Sequence, residues 1–230
     1  CTHGGKNFKP LSASAKNNLF KIKNSFNLKS SKRIKSIESR TNHDVKAVEY
    51  FIREEMKRFP NLSKYEYLVH YALTSEDINS LSYAVLIGRA KEIYLKKLDI
   101  LIRDLRSKSR SWASLPLLAK THGQAASPST LGKEFKVFHQ RLLRQKDILK
   151  RMKPLAKFGG ATGNFHTLDL TDSKINWLNK TKKFLSSFGV EQNPITTQIE
   201  PHDGIAELAH CIQRINNITI DLDQDLWIYI

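Results

Sequence analysis

The chain has 230 residues, with 38 Lys and Arg against 22 Asp and Glu, and a formal net charge of +16. At 40% hydrophobic residues it holds enough Leu, Ile, Val and Phe for a core, which excludes disorder of the bulk. No run approaches the ~20 apolar residues of a membrane-spanning helix. Cys1 and Cys211 alone make neither a disulfide scaffold nor a zinc site. The expected setting is intracellular and cytoplasmic, away from any membrane. The first 25 residues lack the apolar run of a signal peptide. Because the chain begins with Cys1 rather than Met, its start need not be the native one.

Residues 1–40 carry ten Lys and Arg and one acid, Glu38, a net charge of +9. Such a tail could meet nucleic acid, yet it lacks repeated arginines and interleaved aromatics, so a solvated Lys/Asn-rich segment is the favoured reading and nucleic acid is disfavoured. The weak periodicity predicts loop with one short helix around 32–40.

A helix is expected over Asp44–Phe59, where Val45, Val48, Ile52, Met56 and Phe59 share one face. Thr41 or Asn42 would cap it, and Pro60 would stop it. A second begins at Ser75, where Thr74-Ser75-Glu76-Asp77 fits a capping box. Its stripe continues through Ile78, Leu81, Val85, Tyr94, Leu98, Leu101 and Leu105, with Gly88 as a weak point. Residues 107–127 read as irregular. Ser127-Pro128 looks like a cap and first turn for a third helix carrying Leu131, Phe135, Phe138, Leu142, Leu149 and Met152. A glycine-rich loop, Gly159–Asn164, follows. A fourth helix is expected over 171–188, ended by Gly189, and a fifth from Asp203, with its pattern still running at Ile230.

No period-two alternation is sustained, so the fold class is all-α, a bundle of long helices. The expected organisation is an N-terminal helical domain over 1–74 and a central helical-bundle domain over 75–230, cut short at the C-terminus. Asp221, Asp223 and Asp225 do not share one helix face, and no metal site is expected.

Four polar segments lie at helix edges: Thr41–Asp44, Thr74–Asp77, Thr121–Gln124 and Thr196–Asp203. Helix N-termini favour anions, and imidazole exchanges protons near neutral pH. Singly, each is most simply a cap or a surface turn. Together, TNHDVKAVE (41–49), TSEDIN (74–79), THGQ (121–124), SPSTLGKE (127–134) and NPITTQIEPHD (193–203) resemble the bacterial adenylosuccinate lyase family of the fumarase/aspartase superfamily. The resemblance runs from about Ile37 to Ile230.

That resemblance implies a truncated bundle of the fumarase/aspartase type and a carbon–nitrogen lyase of purine biosynthesis. The family eliminates fumarate from adenylosuccinate to give AMP, and from SAICAR to give AICAR. It uses no cofactor, takes a small nucleotide substrate, and assembles as a homotetramer. His122 matches the catalytic histidine, the general acid, with His43 assisting. Asn42, His43 and Asp44 match a substrate-contacting segment, Thr74 and Ser75 a carboxylate-binding pair, and Gln198 a substrate-binding glutamine. The glycine loop has a supporting role.

The family usually has proline at the position of Ala125; its loss is expected to loosen the loop beside His122. The family's signature serine loop and its N-terminal Arg-Tyr pair are not found within 1–230. The isolated chain is therefore expected to be inactive or nearly so. Alternatives are a basic helical nucleic-acid-binding protein, or a relative of argininosuccinate lyase or fumarase.

Overall fold

The computed structural model describes residues 10–230. Nine α-helices are described: α1 (Ala13–Asn24), α2 (Leu28–Thr41), α3 (Asp44–Lys57), α4 (Pro60–Ser63), α5 (Ser75–Ser111), α6 (Leu131–Arg151), α7 (His166–Thr171), α8 (Trp177–Ser186) and α9 (Asp203–Tyr229). Two small antiparallel or paired elements join them: β1 (Pro116–Thr121) with β2 (Gln124–Thr130), and β3 (Leu155–Ala156) with β4 (Glu191–Gln192). The all-α expectation holds. Among the described residues no helix is long and apolar enough to cross a membrane.

The described chain forms two compact units that interleave in sequence. One comprises residues up to Ala84 with Ala156–Pro201; the other comprises Val85–Leu155 with His202–Ile230.

Residues 1–9 of the basic region lie outside the described residues; from residue 10 on, that region in the first unit is more ordered than expected. Instead of one short helix it forms α1 and α2, capped by Ser12, which accepts from the Ala15 amide, and by Asn27, which accepts from Lys29 and Ser30. Lysines are good helix formers, and only a few small or apolar side chains are buried to anchor these helices. Ala15 packs with Met56 and Leu62, and Ile37 packs with Ala47 and Phe51. Helix α3 thus buries a second face, Ala47 and Phe51, besides the one carrying Val45 and Met56. The buried Glu49 on it is held by Lys46 at 2.9 Å and Arg53 at 2.7 Å. Pro60 does not merely stop α3, which ends at Lys57; it opens α4 from the first position, where its missing N–H costs nothing. The fourth expected helix, over 171–188, is the shorter α8, because Asn176 starts it as a cap accepting from the Asn179 amide; α7 precedes it as a separate short helix.

The second unit is an apolar three-helix core. Leu95, Leu98, Ile102 and Leu105 of α5 meet Phe135, Phe138, Leu142 and Leu149 of α6 and Cys211, Ile215, Ile218 and Leu222 of α9. Each fully buried side chain of this kind contributes about 1.5–3 kcal/mol. Gly88 does not break α5; a side chain there would meet Pro154 at an ordinary 3.5 Å. Lys91 donates to the Met152 carbonyl at 2.6 Å, satisfying an acceptor just past the end of α6.

Residues 107–127 are not irregular. Helix α5 runs on to Ser111, and β1 and β2 form a hairpin. Its strands contain few β-branched residues, so the pattern was silent. Ser127-Pro128 lies inside β2, and the cap of α6 is Thr130, whose hydroxyl accepts from the Lys133 amide at 3.3 Å. Gly132 then fits against the end of α5: a Cβ there would stand 2.5 Å from the Ser109 carbonyl oxygen and 2.6 Å from the Trp112 carbonyl carbon.

Candidate active site

The polar segments at helix edges fall into both units. In the first, α2 ends at Asn42, which takes the left-handed conformation (φ 50°) and donates its amide to the Glu38 carbonyl. Asparagine tolerates that conformation better than most residues. This makes Asn42 the end of α2 rather than the cap of α3. The cap is His43, whose Nδ1 accepts from the Lys46 amide at 3.4 Å. Capping fixes the ring, so Nε2 faces the hydroxyl of Ser75 at 3.4 Å. Asp44 accepts from its neighbour Val45 at 2.7 Å and from Asn79 Nδ2 at 3.2 Å. The Val45 amide holds the Asp44 carboxyl below the usual carboxylate range; partial burial opposes this, and Asn79 and His43 add to it. Residues 42–44 are thereby tied to the start of α5.

The start of α5 is fixed in turn by Asp77. Of the expected capping box, the carboxylate half forms: Asp77 Oδ2 accepts from the Thr74 amide at 3.0 Å, while the Asp77 amide bonds to the Thr74 carbonyl. The same carboxylate reaches much further along the chain. It accepts from the amides of Gly159 at 3.0 Å and Gly160 at 3.2 Å, and it pairs with Lys157 at 2.7 Å. Both Asp77 and Lys157 are fully buried. Lys157 also donates to the Gly160 carbonyl at 2.6 Å, and Ser80 donates to the Lys157 carbonyl at 3.0 Å. A buried ion pair is tolerable only when its remaining hydrogen-bonding capacity is met, as it is here by the loop backbone.

The glycine loop carries the connection on to Gln198. Gly163 has φ 78°, and a Cβ there would come within 2.1 Å of the Thr196 carbonyl oxygen and 2.8 Å of that of Thr197. Only glycine permits that approach. Gln198 is exposed on the segment so held. The buried Glu200 accepts from Asn193 Nδ2 at 3.1 Å and closes the segment's base.

One compact unit thus brings together Asn42, His43, Asp44, Thr74 and Ser75, and joins the segment of Gln198 to them through the glycine loop. His122 belongs to the other unit. It sits at the tip of the β1–β2 hairpin with φ 52°, followed by Gly123 at φ 75°. Two consecutive positive φ values between paired Thr121 and Gln124 make the two-residue turn that suits a twisted hairpin. His122 is exposed there. Ala125 pairs with Lys120 in the ladder, so position 125 lies in a strand and not in a loose loop. Asp221 of α9 is engaged by Arg141 at 2.6 Å.

Sequence reasoning missed Lys157 and saw Asp77 only as a local cap. The available signal was a lysine two residues before a double glycine in an otherwise apolar stretch.

The sequence model of the lyase family matches residues 3–230, and the chain belongs to that family. It is 45% identical over 206 residues to an adenylosuccinate lyase of Buchnera aphidicola subsp. Schizaphis graminum, covering 89% of this chain and 45% of the relative. It is 44% identical over 207 residues to adenylosuccinate lyase of Escherichia coli K12, covering 90% and 45%. With that of Haemophilus influenzae it shares 43% over 222 residues, covering 96% and 49%. The chain spans slightly under half the length of these relatives. Among solved structures, a fumarate lyase from Mesorhizobium sp. BNC1 superposes with a TM-score of 0.73 at 17% identity, covering 94% of this chain and 49% of that one. The 3-carboxy-cis,cis-muconate lactonizing enzyme from Pseudomonas putida gives 0.75 at 18%, covering 94% and 48%. These two share the fold.

Proposed function

We propose that this chain carries the helix-edge part of an adenylosuccinate lyase site of purine biosynthesis. The reaction eliminates fumarate from adenylosuccinate to leave AMP, and from SAICAR to leave AICAR. The observation that carries the proposal is the 43–45% identity to three adenylosuccinate lyases over about nine-tenths of the chain.

In this elimination a base removes a proton from the carbon next to a carboxylate. The electron pair forms the new C=C bond, the C–N bond breaks, and the departing nitrogen takes a proton from an acid. We assign the acid to His122, with His43 assisting; positioned proton transfers typically contribute about 10²–10⁴-fold. Thr74 and Ser75 hold a substrate carboxylate at the start of α5, where hydroxyls and free amides suit an anion. The 3.4 Å approach of His43 to Ser75 supports placing both against the same anionic group. Asn42, Asp44 and Gln198 complete the contacts. No residue of 1–230 is assigned as the base. In this reading, residues 1–74 and 75–230 serve as N-terminal and central helical domains of a cytoplasmic homotetramer whose sites draw on several subunits.

Calorimetric titration with adenylosuccinate, paired with an absorbance assay of fumarate release, tests the proposal. The unmodified chain should bind with little or no turnover. Ser75→Ala should weaken binding about tenfold, the loss of one charge-assisted hydrogen bond. Failure of the unmodified chain to bind adenylosuccinate or AMP, or unaltered binding in Ser75→Ala, would overturn it.

A further inference from the structure

A cleft of about 990 Å³ opens in the second unit between the C-terminal half of α5 and the N-terminal half of α6. Six cationic side chains line it: Arg103, Arg106 and Arg110 from α5, and Lys133, Lys136 and Lys146 from α6. Asp99 is the one carboxylate among the lining residues. The spacing explains the convergence. Arg103, Arg106 and Arg110 follow steps of three and four, so they share one face of α5. Lys133, Lys136 and His139 do the same on α6.

Two of the six are already paired, Lys146 with Asp99 at 2.5 Å and Lys133 with Glu134 at 3.0 Å. Arg103, Arg106, Arg110 and Lys136 make no ion pair among the described residues. Unpaired surface cations normally diverge into solvent; here they face one another across a concavity. His139, buried in the cleft wall, registers their field. Its imidazole is pushed below the ordinary histidine value, first by burial and then by Arg106, Lys136 and Arg110.

We propose that this cleft binds a small anion bearing two or more phosphate groups. Guanidinium forks match phosphate oxygens two at a time. The seven helical steps from Arg103 to Arg110 span about 10 Å, more than one phosphate bridges, whereas a phosphate chain can meet several of the cations together. The volume lies at the upper end of the range for small-molecule sites. A concavity of this size between two helices suits a compact ligand better than a nucleic-acid duplex, which needs an element that enters a groove. The phosphate chain could be inorganic polyphosphate or that of a nucleoside triphosphate.

The test is calorimetric titration of the 230-residue chain with inorganic tripolyphosphate, with ATP, and with orthophosphate. Arg106→Gln/Arg110→Gln removes two unpaired cleft cations. Lys29→Gln/Lys32→Gln removes the same charge from exposed positions on α2 of the other unit. Tripolyphosphate should bind the unmodified chain and the α2 variant alike, and bind the cleft variant about tenfold more weakly or less. Comparable ATP binding would place nucleotides among the ligands; binding of tripolyphosphate alone would restrict the site to inorganic chains. All four substituted side chains are exposed, so folding should survive. If the double cleft variant fails to fold, Lys136→Gln carries the test with a smaller loss.

Five results would overturn the proposal. The unmodified chain does not bind tripolyphosphate; orthophosphate binds as tightly; the α2 variant loses as much affinity as the cleft variant; or duplex DNA at equal phosphate concentration displaces tripolyphosphate. A change in sedimentation without a change in tripolyphosphate affinity would likewise overturn it, and would make the cleft a contact with a second copy.

Discussion

The two units reach stability by different means. The second is a three-helix core of uninterrupted Leu, Ile and Phe contacts. The first has smaller apolar clusters, among them those around Met56 and Phe51, and a fully buried ion pair wrapped in backbone amides. Apolar cores tolerate repacking as long as volume is kept. A buried charge pair is intolerant, because removing one partner strands the other. Six residues placed in the proposed site lie in the unit that holds that pair, so precision there rests on polar satisfaction as well as on packing.

The largest expected effect tests this directly. Lys157→Met should cost about 3–5 kcal/mol by leaving Asp77 buried without its cation. The loss should show in urea unfolding, and in hydrogen exchange of the Gly159 and Gly160 amides in particular. Asp77→Asn/Lys157→Met keeps an oxygen acceptor for the Gly159 and Gly160 amides while removing the charge; if it is no more stable than Lys157→Met alone, the stranded charge does not set the cost. Next, Leu142→Ala in the second unit should cost about 2–5 kcal/mol, as a large-to-small change at a fully buried site. Exchange protection should then fall in α6 and α9 first. Thr130→Ala removes the cap of α6 and should cost about 0.5–2 kcal/mol by the same unfolding measurement.

A smaller effect is pH-dependent. The folded value of His139 lies below its unfolded one, so below the ordinary value of about 6.5 the unfolded chain takes up a proton that the folded chain resists. Stability should be fully present above that value and decline as pH falls through it. His139→Gln should flatten this part of the profile. The smallest effect is expected at Arg33→Ala. It breaks a 2.6 Å pair with Glu54 whose members are both nearly half exposed, and the urea unfolding midpoint should stay within error of the unmodified chain.

Much of this organisation was readable in advance where one apolar stripe decides the element. The stripes of α3, α5, α6 and α9 placed those helices to within a few residues, and the polar segments at their edges pointed to the candidate site. The hairpin was not readable. Ser127-Pro128 satisfies the grammar of a helix start as well as that of a strand, and the informative residues were His122 and Gly123 at its turn. Helix α1 escaped notice, and α2 was legible only over its second half, because their buried anchors are as small as Ala15 and as few as Ile37. The Asp77–Lys157 pair could not be read at all. Nothing local distinguishes a capping aspartate from one that also holds a loop 82 residues away.

That separation has a consequence for how the chain is made. At roughly 5–20 residues per second, Asp77 is synthesised about 4–16 s before the glycines that enclose it. During that interval its carboxylate has only the local Thr74 amide to cap, and the first turn of α5 lacks the clasp that later fixes it. The opening of the long helix is thus completed from downstream, and the residues proposed to grip the substrate can lock only after the nascent chain has passed position 160.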